Sequence, residues 1–164
     1  MFHRELLPPD PRYRRLHGLL AVASTIALLF LTLRPDHLAL NGLSLVPFAE
    51  TSRFLRIMLH SPEPFHYEAF RRLLWHVGGN VGGFIPLGLG LAGWRCGVPA
   101  RRAWGWAVAV SCLLSLGIEL AQLAIPSRST DVDDVIFNTL GAMLGATLAL
   151  WRRRPQVPGA ASSA

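Results

Sequence analysis

The chain has 164 residues; 51% are hydrophobic, 16% are charged, and the mean hydropathy is +0.36. A soluble domain carries about 25% charged residues, so this composition points to a membrane protein. The formal net charge is +6 and all sixteen basic residues are arginine, but they sit at the ends of apolar stretches, where membrane topology accounts for them without nucleic acid.

Four stretches lack Arg, Lys, Asp and Glu, apart from Glu119: 16–33, 73–94, 103–125 and 135–151. Each is close to the ~17–25 residues that cross a hydrocarbon core as a helix, and each is apolar all round. The expected fold is all-α, a polytopic bundle of four transmembrane helices. Residues 1–15 form a basic arm, 16–151 the membrane domain and 152–164 a Pro/Ala/Ser-rich disordered tail. The first stretch has no small-x-small cleavage site after it and reads as an uncleaved anchor.

The arginines set an orientation. Arg4, Arg12, Arg14, Arg15, Arg95, Arg101, Arg102, Arg152, Arg153 and Arg154 fall on one side, against Glu5 and Asp10. The other side holds Arg34, Arg53, Arg56, Arg71, Arg72 and Arg128 against seven acids. The positive-inside rule then expects both termini in the cytoplasm of a bacterial inner-membrane protein.

The first outer loop runs from Arg34 to Arg72. Within it 38–48 is apolar but too short to span. Thr51–His60 places Phe54, Leu55, Met58 and Leu59 opposite Arg53 and Arg56, which predicts an amphipathic helix, either interfacial or re-entrant. The second stretch is dense in glycine, from Gly78 to Gly93. The fourth carries Gly141 and Gly145, a GxxxG spacing that allows close backbone approach and is compatible with a homo-oligomer. Gly and Pro86 also tolerate a local helix break. Cys96 and Cys112 have no metal-ligand spacing and read as packing residues.

Polar residues gather at one depth. Arg72, His76 and Asn80 form a stripe in the outer half of the second stretch. Ser115, Glu119 and Gln122 share a face of the third. Asp131, Asp134, Asn138 and Gly141 share a face of the fourth, with Thr130 or Asp131 as N-cap. Two readings stand. In one, Arg128 neutralises Glu119 or Asp131, and Asn80 and Asn138 are interhelical hydrogen-bond glue. In the other, these groups line a pocket open to the outer leaflet. A metal site of Asp131, Asp133 and Asp134 is not expected, because consecutive helical Asp133 and Asp134 point ~100° apart; no cofactor is expected. His76 is a candidate acid or base, with no nucleophile motif beside it.

The order and spacing of several motifs resemble the VanZ-like family. They are Asn41 with Val46-Pro47-Phe48, then Gly79-Asn80-Val81-Gly82-Gly83-Phe84-Ile85-Pro86-Leu87-Gly88, then Ser115-Leu116-Gly117-Ile118-Glu119-Leu120-Ala121-Gln122. Last comes Arg128-Ser129-Thr130-Asp131-Val132-Asp133-Asp134-Val135-Ile136-Phe137-Asn138-Thr139-Leu140-Gly141. The resemblance runs from Asn41 to Trp151. It implies a small multi-spanning bacterial membrane protein, and the founding member is associated with low-level resistance to teicoplanin, a lipid-tailed glycopeptide. The functional expectation is an outer-leaflet pocket that binds or alters a lipid-linked envelope component. The site would be formed by Asn80, Glu119, Gln122, Arg128, Asp131, Asp134 and Asn138, with His76, Asn41, Asp133, Arg72 and Ser115 as further candidates. Glu119 would take a cationic or hydroxyl group and Arg128 a phosphate. The rivals are a membrane enzyme using Glu119 or His76 as base on a lipid head group, and a structural partner without ligand.

Overall fold

The computed structural model describes residues 10–34, 42–62 and 65–151. Asn41, most of the basic arm and the tail lie outside the described residues. The element order is α1 (Pro11–Thr32), β1 (Gly42–Ser44), α2 (Ala49–His60), α3 (Phe65–Leu73), a π-helical turn (Leu74–Gly79), α4 (Asn80–Trp94), α5 (Ala100–Gln122), β2 (Ser129–Asp131) and α6 (Val132–Trp151).

Three of these helices, α1, α5 and α6, are long and apolar enough to cross a membrane. Helix α1 starts earlier than the apolar pattern suggests. The Asp10 side chain accepts the Arg12 N–H at 2.8 Å, and Pro11 fits the first helical position, where an N–H is not needed. Its outer face is apolar: Leu16, Leu19, Val22, Ile26 and Phe30 are all exposed, as expected of a lipid-facing helix.

The second apolar stretch is not one straight α-helix. It is built from the end of α3, the π-helical turn and α4, whose fifteen residues rise roughly 22 Å. The break falls at Leu74–Gly79, not at Pro86, which sits inside α4. Gly78 and Gly79 close the π-helical turn, and glycine is the residue least committed to a regular α-helix after proline.

Helix α4 is the centre of the bundle, packed on α6, α1 and α5. The core is formed by Phe84, Leu87, Leu91 and Ala92 of α4, Ala142, Ala146 and Ala149 of α6, Ala107 and Ile118 of α5, and Ala21 and Leu28 of α1. Hydrophobic burial alone does not drive helices together in lipid, so close packing must. A Cβ at Gly88 would strike the Ala142 backbone, one at Gly141 the Val81 carbonyl, and one at Gly145 the Ile85 carbonyl. The GxxxG pair of α6 therefore faces α4 within the same chain.

The first loop is more structured than an amphipathic helix alone. Helix α2 forms as expected and packs against α3. Strand β1 pairs in parallel with β2, Leu43 opposite Thr130, which ties this loop to the start of α6. Three-residue strands leave no periodicity to read, and the pairing joins segments far apart in the chain.

At the opposite end of the bundle arginine meets tryptophan. Arg95 lies 4.8 Å from the Trp106 ring and Arg14 5.8 Å from Trp94. Such cation–π contacts suit a membrane interface belt.

Candidate functional site

The polar residues assemble where the π-helical turn, the end of α5 and the β2–α6 junction meet. Helix α6 begins at Val132 because Asp131 caps it, its Oδ1 accepting the Asp133 N–H at 3.0 Å. Glu119, near the end of α5, fixes the same junction. Its Oε2 accepts the Asp131 N–H at 3.0 Å, and its backbone carbonyl accepts the Thr130 hydroxyl at 3.2 Å. Burial pushes the Asp131 carboxyl above its ordinary value, with the Asp133 N–H acting in the opposite sense.

Asp133 is fully buried. It reaches across to the first loop, where it accepts the Phe48 N–H and, at 3.0 Å, the Thr51 hydroxyl. A distant side chain thus caps α2. Phe48 has φ 61°, the one described non-glycine residue in the left-handed region. That conformation is uncommon for a bulky residue, and the Asp133 bond and an edge contact with Phe137 hold it.

His76 projects from the π-helical turn into this junction. Its Nδ1 is 3.4 Å from Asp134 Oδ1 and its Nε2 3.9 Å from Asp133 Oδ2. Asn80 donates its amide to the same Asp134 oxygen. Phe54 and Phe137 flank the imidazole edge-on. A π-helical turn rotates the following residues relative to an α-helix, and such turns recur at functional sites.

Above these groups lies a cavity of about 430 Å³, lined by His76, Gln122, Arg128, Asp131 and Asp134, with Arg71 and Arg72 beside Glu50, Phe54, Trp75 and Ser129. It brings together residues expected from all three polar stripes. Asn80 supports Asp134 from behind. Asn138 and Ser115 do not line the cavity; they hydrogen-bond to each other at 2.8 Å between α6 and α5. Glu119 is buried at the β2–α6 junction rather than on the cavity wall.

Arg128 differs from the expectation that it neutralises Glu119 or Asp131. Its Nε donates to the Arg34 carbonyl at 2.9 Å and its Nη2 to the Leu31 carbonyl at 3.0 Å. These are carbonyls at and just past the C-terminus of α1, which lack helical partners and carry partial negative charge. Gln122 donates to Thr32 on the same helix end at 3.0 Å. Both residues therefore anchor α1 to the site.

Glu50, Phe54, Arg71 and Trp75 are site residues that the sequence pattern does not single out. Glu50 and Phe54 reach the cavity because α2 is pinned by Asp133. The amphipathic pattern of α2 locates a helix but not its docking face.

Residues 19–153 match the VanZ/LLP1 family. The chain belongs to this family. No curated protein and no solved structure matches the chain.

Proposed function

We propose that this VanZ/LLP1 protein spans the bacterial inner membrane four times, with α3, the π-helical turn and α4 making the second crossing. Both termini face the cytoplasm and the cavity opens at the outer leaflet. In this reading the cavity receives the polar head group of a membrane lipid or lipid-linked envelope precursor, whose acyl chain stays in the bilayer. The observation that carries it is the lining: Arg72 for an anionic group, with Arg71, which also pairs with Glu68 at 2.8 Å, and the remaining Nη1 of Arg128 beside it, carboxylates for hydroxyl or amine groups, and exposed Trp75 at the rim for the chain. Binding such a component would alter how lipid-tailed glycopeptides reach their target, in keeping with the association of the family's founding member with teicoplanin resistance.

Native mass spectrometry of the purified protein with envelope lipid extract tests this. A bound anionic lipid that is lost in Arg71→Gln/Arg72→Gln supports the reading. A folded protein that retains no lipid, or retains it equally in that variant, refutes it. An enzymatic role on the head group is favoured by one observation, the 3.4 Å approach of His76 Nδ1 to Asp134 Oδ1 on the cavity wall, a contact that would orient a general base if it tightened to a hydrogen bond when a ligand binds.

A further inference from the structure

We infer that a divalent-cation site suited to Zn²⁺ or Mn²⁺ lies just beneath the cavity, made by His76 and Asp131 of its wall and by the fully buried Asp133 behind them. The three residues come from the π-helical turn, the end of β2 and the first turn of α6. One donor atom of each lies within 4.8 Å of the others. Metal–donor bonds of about 2.0–2.2 Å put tetrahedral donors ~3.4 Å apart, so side-chain adjustment of up to about 1.4 Å closes the set.

The donors are oriented before any ion arrives. His76 Nδ1 lies 3.4 Å from Asp134 Oδ1 and Nε2 3.9 Å from Asp133 Oδ2, so a neutral ring protonated on Nδ1 would offer its Nε2 lone pair on the Asp133 side; Nε2 is buried and has no hydrogen-bond partner among the described residues. A carboxylate behind the imidazole is the usual support of a metal-bound histidine. Asp133 is held by Phe48 and Thr51, and Asp131 by the Asp133 N–H.

Charge argues the same way. Asp131, Asp133 and Asp134 crowd one partly dry junction, and among the described residues no arginine forms an ion pair with any of them. His76 is the one basic side chain within ion-pair distance of Asp133 and Asp134 among the described residues, and three buried or half-buried carboxylates against one imidazole are costly. A divalent cation supplies the missing counter-charge.

Gln122 gives an independent sign. It is only 5% exposed and lines the same cavity, yet its Oε1 is buried without a partner. A carbonyl oxygen so placed is free to accept a hydrogen bond from a water or hydroxyl bound in that cavity. Three protein donors leave positions open on the metal, the arrangement of sites that bind a further ligand. The imidazole nitrogen favours Zn²⁺ over the all-oxygen preference of Mg²⁺ and Ca²⁺, and the two carboxylates make Mn²⁺ the second candidate.

The sequence pattern argues against a metal because Asp133 and Asp134 diverge on α6. They do diverge: Asp133 serves as donor while Asp134 orients the histidine, and the missing donor comes from another helix. The proposal does not depend on the head-group reading, since its test contains no lipid ligand.

Full-length protein, tag removed, stripped with chelator and kept in detergent, is incubated with ZnCl₂ or MnCl₂, dialysed and analysed for metal. Retention of one ion per chain is expected, with loss in His76→Gln and a weakening of about 10–100-fold in Asp134→Asn. His60→Gln, on the exposed face of α2, should retain the ion. Because His76→Gln could unfold, the unaltered protein is also titrated with Co²⁺, whose visible absorption reports an ordered nitrogen–oxygen site. Folded protein that retains no stoichiometric metal and shows no Co²⁺ spectrum overturns the proposal, as does retention indifferent to His76→Gln in a folded variant.

Discussion

Asp133, at the start of α6, accepts a hydrogen bond from the backbone N–H of Phe48, 85 residues earlier in the chain. This bond and the one from Thr51 make the first loop part of the site rather than a connector. Replacing Asp133 by Ala leaves two donors in a partly buried junction, where the loss of each partner costs at most about 1–3 kcal/mol. Asp133→Asn keeps an acceptor for Phe48. Thermal unfolding in detergent should therefore rank wild type above Asp133→Asn, and Asp133→Asn above Asp133→Ala. Equal stability of the alanine variant and wild type would detach α2 from α6.

Glu119 and Arg128 are the natural pair to read from sequence, an isolated acid near the end of one apolar run and a base shortly after it. In the structure Glu119 receives the Asp131 N–H, whereas Arg128 serves the carbonyls of α1. A double-mutant cycle of Glu119→Gln and Arg128→Gln should give less than about 0.5 kcal/mol of coupling, the range of independent sites. Coupling well above that would restore the ion pair.

Arg128→Lys is not conservative here. The guanidinium delivers Nε and Nη2 to two different carbonyls, a forked geometry an ammonium does not reproduce. A loss of about 1 kcal/mol is expected, the typical net worth of a hydrogen bond, because both bonds are exposed to solvent, together with faster proteolysis after Arg34. Unchanged melting and unchanged cleavage would mean that α1 is held without this clamp.

Much of this is legible in the chain. The apolar runs that form α1, α5 and α6 can be read within a few residues, because a helix that is apolar all round and long enough to cross lipid has little else to do. The concentration of polar groups at one depth is also legible, and it locates the cavity. The partners are not. Helical spacing says which residues share a face, but Arg128 could reach either a carboxylate or a helix end, and only the fold decides. The stripe of Arg72, His76 and Asn80 presumes α-helical geometry through residues that form a π-helical turn. The β1–β2 pairing needs three residues on each side and contact across the chain, beneath any sequence signal.

The proposed orientation has a direct test. With Cys96 and Cys112 replaced by Ser, single cysteines at the exposed positions Ser129 and Arg101 report opposite ends of the bundle. An impermeant thiol reagent applied to intact spheroplasts should label position 129 and spare 101 until the membrane is opened. The reverse pattern would put the cavity in the cytoplasm and remove the outer-leaflet reading.

Glycine packing separates the helix bundle from the site. Gly145 faces the Ile85 carbonyl and the Leu89 backbone nitrogen of α4, so a side chain there has nowhere to go without moving a backbone. Overpacking of this kind costs about 1–3 kcal/mol, and the forced separation of α4 from α6 should make Gly145→Val worse than Gly145→Ala. Gly105, on the exposed side of α5, meets nothing within 4 Å of a built Cβ. Gly105→Ala should leave stability unchanged or raise it by up to ~1 kcal/mol through helix propensity. The comparison is made by thermal unfolding and by size-exclusion profile in the same detergent. If Gly145→Val instead melts like wild type but shifts the oligomeric state, the GxxxG face contacts another copy of the chain and not α4.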